Sequence, residues 1–144
     1  MSPNEIDLLF KVGPRGFLPT RGHASDAGLD LYVSEDVMIT PGQTAEVPTD
    51  VAVGLPLELW GYVVGRSSAS RRHGLEVIEG VIDPGYTGEL YARVKNNNDH
   101  PVIVCRGERV SQLVPQFRPS VRVRQVDQLP EGERGSNGFG STGV

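Results

Sequence analysis

Cysteine is almost absent: Cys105 is the only one in the chain, so neither an intramolecular disulfide nor a multi-cysteine zinc site is available. It ends the apolar run Val102-Ile103-Val104-Cys105 and is expected to be a small buried hydrophobe. Lysine is nearly as scarce, at Lys11 and Lys95 alone. Positive charge therefore rests on arginine, whose guanidinium fork suits bidentate contact with phosphate oxygens. No apolar run approaches the length of a membrane span, and Met1 to Leu18 lacks a positive leader followed by a long apolar stretch. The expected setting is the cytoplasm, without a membrane partner. The histidines, His23, His73 and His100, show no metal-ligand spacing, and no Gly-x-Ser-x-Gly elbow accompanies them. A zinc hydrolase and a serine hydrolase are both disfavoured.

What is present describes one folded, turn-rich domain. The 144 residues suffice for a single core, and 38% hydrophobic with 22% charged residues is ordinary for a globular chain once 18 Gly and 11 Pro are counted as turn-formers. A net charge of −4 argues against sequence-independent binding to nucleic acid, which needs a clustered basic surface.

Hydrophobic residues alternate with period two at Val51 and Val53, at Leu90, Ala92 and Val94, and at Val121 and Val123, which predicts half-buried strands. Turn signals separate them at Pro41-Gly42, Gly54-Leu55-Pro56, Pro84-Gly85, Asn96-Asn97-Asn98 and Arg106-Gly107. The pattern points to an all-β sandwich or barrel of jelly-roll type. Only Ser67 to Arg72 suits a short helix, capped by its serines and stopped by Gly74. No internal repeat is evident. From Arg134 to Val144 the composition shifts to Gly, Ser and Thr, dividing a folded unit over 1–133 from a terminal arm over 134–144.

Three segments carry groups suited to chemistry. In Gly80-Val81-Ile82-Asp83-Pro84-Gly85-Tyr86-Thr87-Gly88-Glu89 a carboxylate stands between an apolar strand end and a tight turn, where Asp83 is either a turn former or a general base. Gly65-Arg66-Ser67-Ser68-Ala69-Ser70 offers a guanidinium, hydroxyls and the free N–H groups of a helix start, and reads equally as an anion site or a capped surface turn. Arg134-Gly135-Ser136-Asn137-Gly138-Phe139-Gly140-Ser141-Thr142-Gly143 is either a disordered end or a flap over a phosphorylated ligand, with Arg134 meeting charge and Phe139 meeting a base. It is not a P-loop, since no Lys follows its glycines.

In order, Ala27-Gly28-Leu29-Asp30-Leu31, Gly65-Arg66-Ser67-Ser68, Gly80 to Tyr86, Gly107-Glu108-Arg109-Val110-Ser111-Gln112-Leu113 and Arg134 to Gly143 resemble the five motifs of the trimeric dUTP pyrophosphatases. The resemblance covers nearly the whole chain. It implies a jelly-roll or distorted β-barrel subunit, a homotrimer with exchanged C-terminal arms and shared sites, dUTP as substrate and Mg²⁺ as cofactor. The activity would limit uracil incorporation into DNA and supply dUMP. By the same resemblance Asp83 is the general base that directs water at the α-phosphorus. Gly80 belongs to the hairpin that holds uracil through backbone groups, and Tyr86 packs on the deoxyribose. Arg66, Ser67, Ser68 and Gln112 contact phosphate, while Arg134, Gly140, Ser141 and Thr142 form the arm around the outer phosphate, with Phe139 covering uracil. Asp30 is implied to meet the water shell of the metal.

Two positions depart from that pattern. Val77 stands where many relatives have an Asn that assists base recognition, and Asn137 replaces a common glycine of the arm. A related fold, the dCTP deaminases, resembles Gly65-Arg66-Ser67-Ser68 and Asp83-Pro84-Gly85-Tyr86 about as well. Its chemistry uses a Glu three residues before an Asn after the hairpin, where this chain has Arg93 before Asn96. A nucleotide-binding protein of the same fold without catalysis is the remaining alternative.

Overall fold

The computed structural model describes residues 5–67, 69 and 73–137. Ten strands follow in chain order: β1 Leu9–Val12, β2 Leu29–Leu31, β3 Val37–Ile39, β4 Thr44–Gly54, β5 Leu59–Gly65, β6 Leu75–Ile78, β7 Gly80–Ile82, β8 Glu89–Asn96, β9 Val102–Val104 and β10 Ser111–Phe117. The strands pair antiparallel as two four-stranded sheets, β1-β4-β8-β6 and β2-β10-β5-β7, with a separate β3-β9 ribbon. This is the all-β architecture expected from the alternation. Ser67, Ala69 and His73 are helical, at the predicted short helix.

Period-two patterning places the core. Leu90, Ala92 and Val94 of β8 and Val47, Val51 and Val53 of β4 are buried, and the residues between Leu90, Ala92 and Val94 are exposed, while Ala52 between Val51 and Val53 is half-buried. One cluster packs Val51, Val53 and Leu90 of the first sheet against Leu31, Leu59, Val63 and Leu113 of the second. The other joins Val47, Ala92, Val94 and Leu75 to Ile39, Val102 and Val104 of the ribbon. Burying each such aliphatic side chain contributes about 1.5–3 kcal/mol before the entropy of ordering is counted.

Polar groups inside this core are paired. Asn96, fully buried, donates from Nδ2 to the carbonyls of Ile39 and His100, each at 2.9 Å, and its Oδ1 accepts from the backbone N–H of Asn98 at 2.9 Å. It ties the end of β8 to the ribbon. The irregularity in β4 between Pro48 and Ala52 centres on Asp50, which takes φ 55°. Asp tolerates that left-handed conformation better than most residues. Here it is held from both sides, its carbonyl accepting from Gly13 N–H at 2.8 Å and its carboxylate from Arg15 N–H at 2.9 Å.

Two expectations need correction. Val121 and Val123 belong to no strand and are exposed, because the chain beyond Phe117 leaves the sheet and gives their alternation no partner. Cys105 is exposed rather than buried. It lies one position beyond β9, on the outward parity of Ile103, whereas Val102 and Val104 point inward.

Local desolvation and the nearby Asp36 and Glu108 carboxylates raise the Cys105 thiol above its ordinary range. Despite its exposure, Cys105 is therefore expected to alkylate slowly at neutral pH. The iodoacetamide rate should keep rising with pH past the point where a free thiol levels off. A plateau at or below the free-thiol pH would contradict this arrangement.

Candidate functional site

Asp30 lies in the middle of β2, directly opposite Gln112 of β10, and Gln112 in turn lies opposite Val64 of β5. Three consecutive strands thus bring the ends of three sequence motifs together. Arg66 leaves the end of β5 and places Nε 2.9 Å from Asp30 Oδ1, while Arg109, just ahead of β10, places Nη1 3.3 Å from Asp30 Oδ2. Arg66 Nη1 also donates to the Arg109 carbonyl at 2.9 Å. The Asp30 side chain is 12% exposed, so the two guanidinium groups supply the counter-charge that a sheltered carboxylate requires.

A cavity of about 400 Å³ opens beside this cluster, lined by Gly28, Asp30, Arg66, Ser67, Arg109 and Gln112, with the His23–Asp26 turn at its rim. Arginine and amide donors facing one concave surface suit an oxyanion. Gln112 is held by a hydrogen bond from Nε2 to the Gly65 carbonyl at 3.1 Å. Gly28 makes that pose possible, since a methyl group there would overlap the Gln112 amide.

Sequence reasoning placed Asp30, Arg66, Ser67 and Gln112 at a phosphate or metal-water site, and the structure brings all four to this cavity. It adds Arg109, whose signal was its position inside the Gly107–Leu113 motif. Around Arg109 runs a stack in which its Cζ stands 6.0 Å from the Tyr32 ring, Tyr32 lies 5.5 Å from Phe17, and Arg106 Cζ sits 4.5 Å over Phe17. It also adds His73, whose Nε2 is 2.8 Å from Glu108 Oε2. Burial pushes the Glu108 carboxyl up, but the Cys105 N–H and the His73 ring outweigh that and hold it below its ordinary value. The contact fastens the segment after Arg66 to the turn before Arg109. No pattern of spacing announces such a pair.

The hairpin residues gather elsewhere. Gly80 and Tyr86 line a second pocket, of about 190 Å³, with Ile82, Tyr91 and Arg93. Tyr86 donates its hydroxyl to the Glu89 carbonyl at 2.8 Å. Its ring covers Gly88 so closely that an added Cβ would stand 2.5 Å from the hydroxyl oxygen. The Tyr91 phenol is raised above its ordinary range, first by the Glu89 carboxylate, then by desolvation and by Glu46. Asp83 follows β7 at the Pro84-Gly85 turn; it is exposed, and its carboxylate has no hydrogen-bond or ion-pair partner among the described residues. Val77 does not line this pocket and packs instead on the inner core, against Gly65.

In the terminal segment Arg134 is exposed in a turn closed by Asn137 N–H to the Arg134 carbonyl, 3.0 Å. Ser68, Phe139, Gly140, Ser141 and Thr142 lie outside the described residues. No group of three or more His, Cys, Asp or Glu suited to hold a metal occurs among the described residues, and no helix there is long and apolar enough to cross a membrane.

The dUTPase family model matches residues 15–143. The chain is 42% identical over 130 residues to a deoxyuridine 5'-triphosphate nucleotidohydrolase of Gloeobacter violaceus, covering 88% of each chain. A solved structure of a Staphylococcus bacteriophage 80alpha dUTPase mutant with dUpNHpp superposes with a TM-score of 0.89 at 30% identity, covering 96% of this chain and 99% of that one. A mutant dUTPase from phage phi11 of S. aureus, solved for the coordination of a structural Mg(II) ion, gives 0.82 at 25% identity over 88% and 100%.

Gly28→Ala isolates the contribution of Gln112 to anion binding. The variant is expected to fold and to bind a nucleoside triphosphate about tenfold more weakly, as the displaced amide loses its fixed pose. Calorimetric titration reads the change, and unaltered affinity would remove Gln112 from the binding surface.

Proposed function

The chain belongs to the dUTPase family, and from that premise we propose that it hydrolyses dUTP to dUMP and pyrophosphate, by Mg²⁺-assisted attack of water on the α-phosphorus, in sites shared within a homotrimer. The observation that carries this reading is the separation of two half-sites along β5. Gly80 pairs with Val63 and Ile82 with Gly61, so Asp83 emerges beside Trp60, whereas Arg66 leaves the opposite end of the strand. At about 3.3 Å per residue the two are roughly 20 Å apart. Arg66 is also turned toward Asp30 and the Arg109 carbonyl. One chain therefore offers a base-and-nucleophile half at one end and a phosphate half at the other. Copies arranged about a three-fold axis would join unlike halves, in keeping with the homotrimer.

Within a joined site the roles follow from chemistry. Asp83, exposed and without a hydrogen-bond or ion-pair partner among the described residues, accepts the proton of the attacking water. Arg66, Ser67, Ser68 and Gln112 hold the phosphates. Gly80 and its hairpin neighbours bind uracil, and Tyr86, pinned to the Glu89 carbonyl, lies against the sugar and leaves no space for a 2′-hydroxyl. The arm from Arg134, with Phe139, Gly140, Ser141 and Thr142, closes over the ligand and excludes water from the developing charge.

The donor set fits a metal that arrives with the triphosphate. Asp30, already shared by two guanidinium groups, is one sheltered carboxylate in the phosphate cavity, placed to accept hydrogen bonds from metal-bound water rather than to build a cage. Mg²⁺ would neutralise phosphate charge and fix the chain for in-line displacement.

Purified protein with Mg²⁺ and dUTP or dCTP, followed by phosphorus NMR alongside an ammonia assay, tests the reading. Pyrophosphate from dUTP alone is expected. Ammonia from dCTP would assign the chain to deamination, and no turnover of either would leave a binding role. Asp83→Asn should lower the dUTP rate by about 10²- to 10⁴-fold while nucleotide affinity persists. An unchanged rate would exclude Asp83 from the mechanism.

A further inference from the structure

The pocket formed by the hairpin and β8 has an apolar floor of Val63, Ile78 and Ile82. Val77, on the neighbouring strand, cannot supply a donor there: its side chain is aliphatic and packs on the core against Gly65. Arg93 lines the pocket from β8, on the outward parity of that strand, opposite Glu46 of β4 and Ile78 of β6. Its guanidinium is exposed and makes no hydrogen bond or ion pair among the described residues, although Glu46 and Glu89 line the same pocket. An arginine with no hydrogen bond or ion pair among the described residues, lining a ring-sized cavity together with Tyr86, is placed to serve a ligand.

We infer that Arg93 is a specificity-determining residue, reading a carbonyl oxygen on the pyrimidine held between the hairpin and β8. This rests on the proposed reading of that pocket as the base site. Guanidinium is a donor only, with no acceptor to offer. It complements the carbonyl at ring position four of uracil and opposes the amino group that cytosine carries there. Donor facing donor leaves both groups unpaired in a partly closed site, and that mismatch is the larger part of the discrimination. The sheet also fixes where the group starts: Ala92 and Val94 on either side are buried, so the backbone at Arg93 is anchored while its side chain remains outside the sandwich.

Steady-state kinetics on dUTP and dCTP with the full chain and Mg²⁺ test this in wild type, Arg93→Met and Arg93→Lys. Activity of the wild type on dUTP is established first, and its absence would refute the proposed function rather than the role of Arg93. The Met variant is expected to lower the dUTP-to-dCTP ratio of kcat/KM by about tenfold to hundredfold. The change should come chiefly through KM for dUTP, since a base contact made equally before and during reaction leaves kcat in place. Lys, still a cationic donor, should retain part of the preference. A ratio unchanged in the Met variant, or an equal fall on both substrates, would overturn the inference. Loss of the assembled state by light scattering in the Met variant would also overturn it, by assigning the guanidinium to a contact between copies.

Discussion

Asp30 stands between two arginines that arrive from different directions, Arg66 from the end of β5 and Arg109 from the turn before β10. Asp30 is 9% exposed and lies on β2, the edge strand of its sheet. A single negative charge cannot neutralise two guanidinium groups, so the three side chains keep a net positive charge that favours another anion. Asp26 at the rim adds negative charge, but its exposure leaves it screened by solvent. The arrangement is more a positioning device than a source of stability, because Arg66 and Arg109 remain 28% and 45% exposed and such pairs contribute modestly to folding. On the proposed reading its value lies in fixing where donors point before a ligand arrives, which reduces the entropy lost on binding.

That cluster depends on strand register. Asp30 faces Gln112, Gln112 faces Val64, and Ser111 faces Gly65, so a one-residue slip of β10 would turn Gln112 into the core and Leu113 into the cavity. The buried Leu31, Val63 and Leu113 oppose such a slip, since it would expose the hydrophobic face that joins the sheets. His73 and Glu108 add a local brace across the two loops. Packing thus fixes the register, and the register fixes the cavity.

Much of this was legible in the residues. Leu90, Ala92 and Val94 announced β8 because a strand half-covered by core must alternate, and Gly65-Arg66-Ser67-Ser68, which reads equally as an anion site or a capped turn, contributes Arg66 and Ser67 to the cavity lining. The same alternation at Val121 and Val123 misled, since period two records a preference and a strand also needs a neighbour with free backbone groups. Cys105 misled because it was read as part of an apolar run, while the parity shared with Ile103 placed it outside. Arg109 had only its place inside the Gly107–Leu113 motif to announce it, and the His73–Glu108 pair had no signal, because both contacts join segments that meet only after the sheets have formed.

The hairpin makes a different demand on the backbone. Gly85 takes φ 89° at the Pro84-Gly85 turn, and Gly88 lies beneath the Tyr86 ring with no space for a side chain. Both glycines act on the same aromatic: one turns the chain so that Tyr86 faces back along the hairpin, and the other lets the ring settle until its hydroxyl reaches the Glu89 carbonyl. The pose of Tyr86 is therefore set by neighbours within the hairpin and needs no ligand to order it. On the proposed reading, discrimination against a 2′-hydroxyl is then steric, the rejected group meeting a ring that cannot retreat without losing a hydrogen bond. A steric wall of that kind is as selective as its support is stiff, and here the support is covalently local, within three residues of the ring it holds.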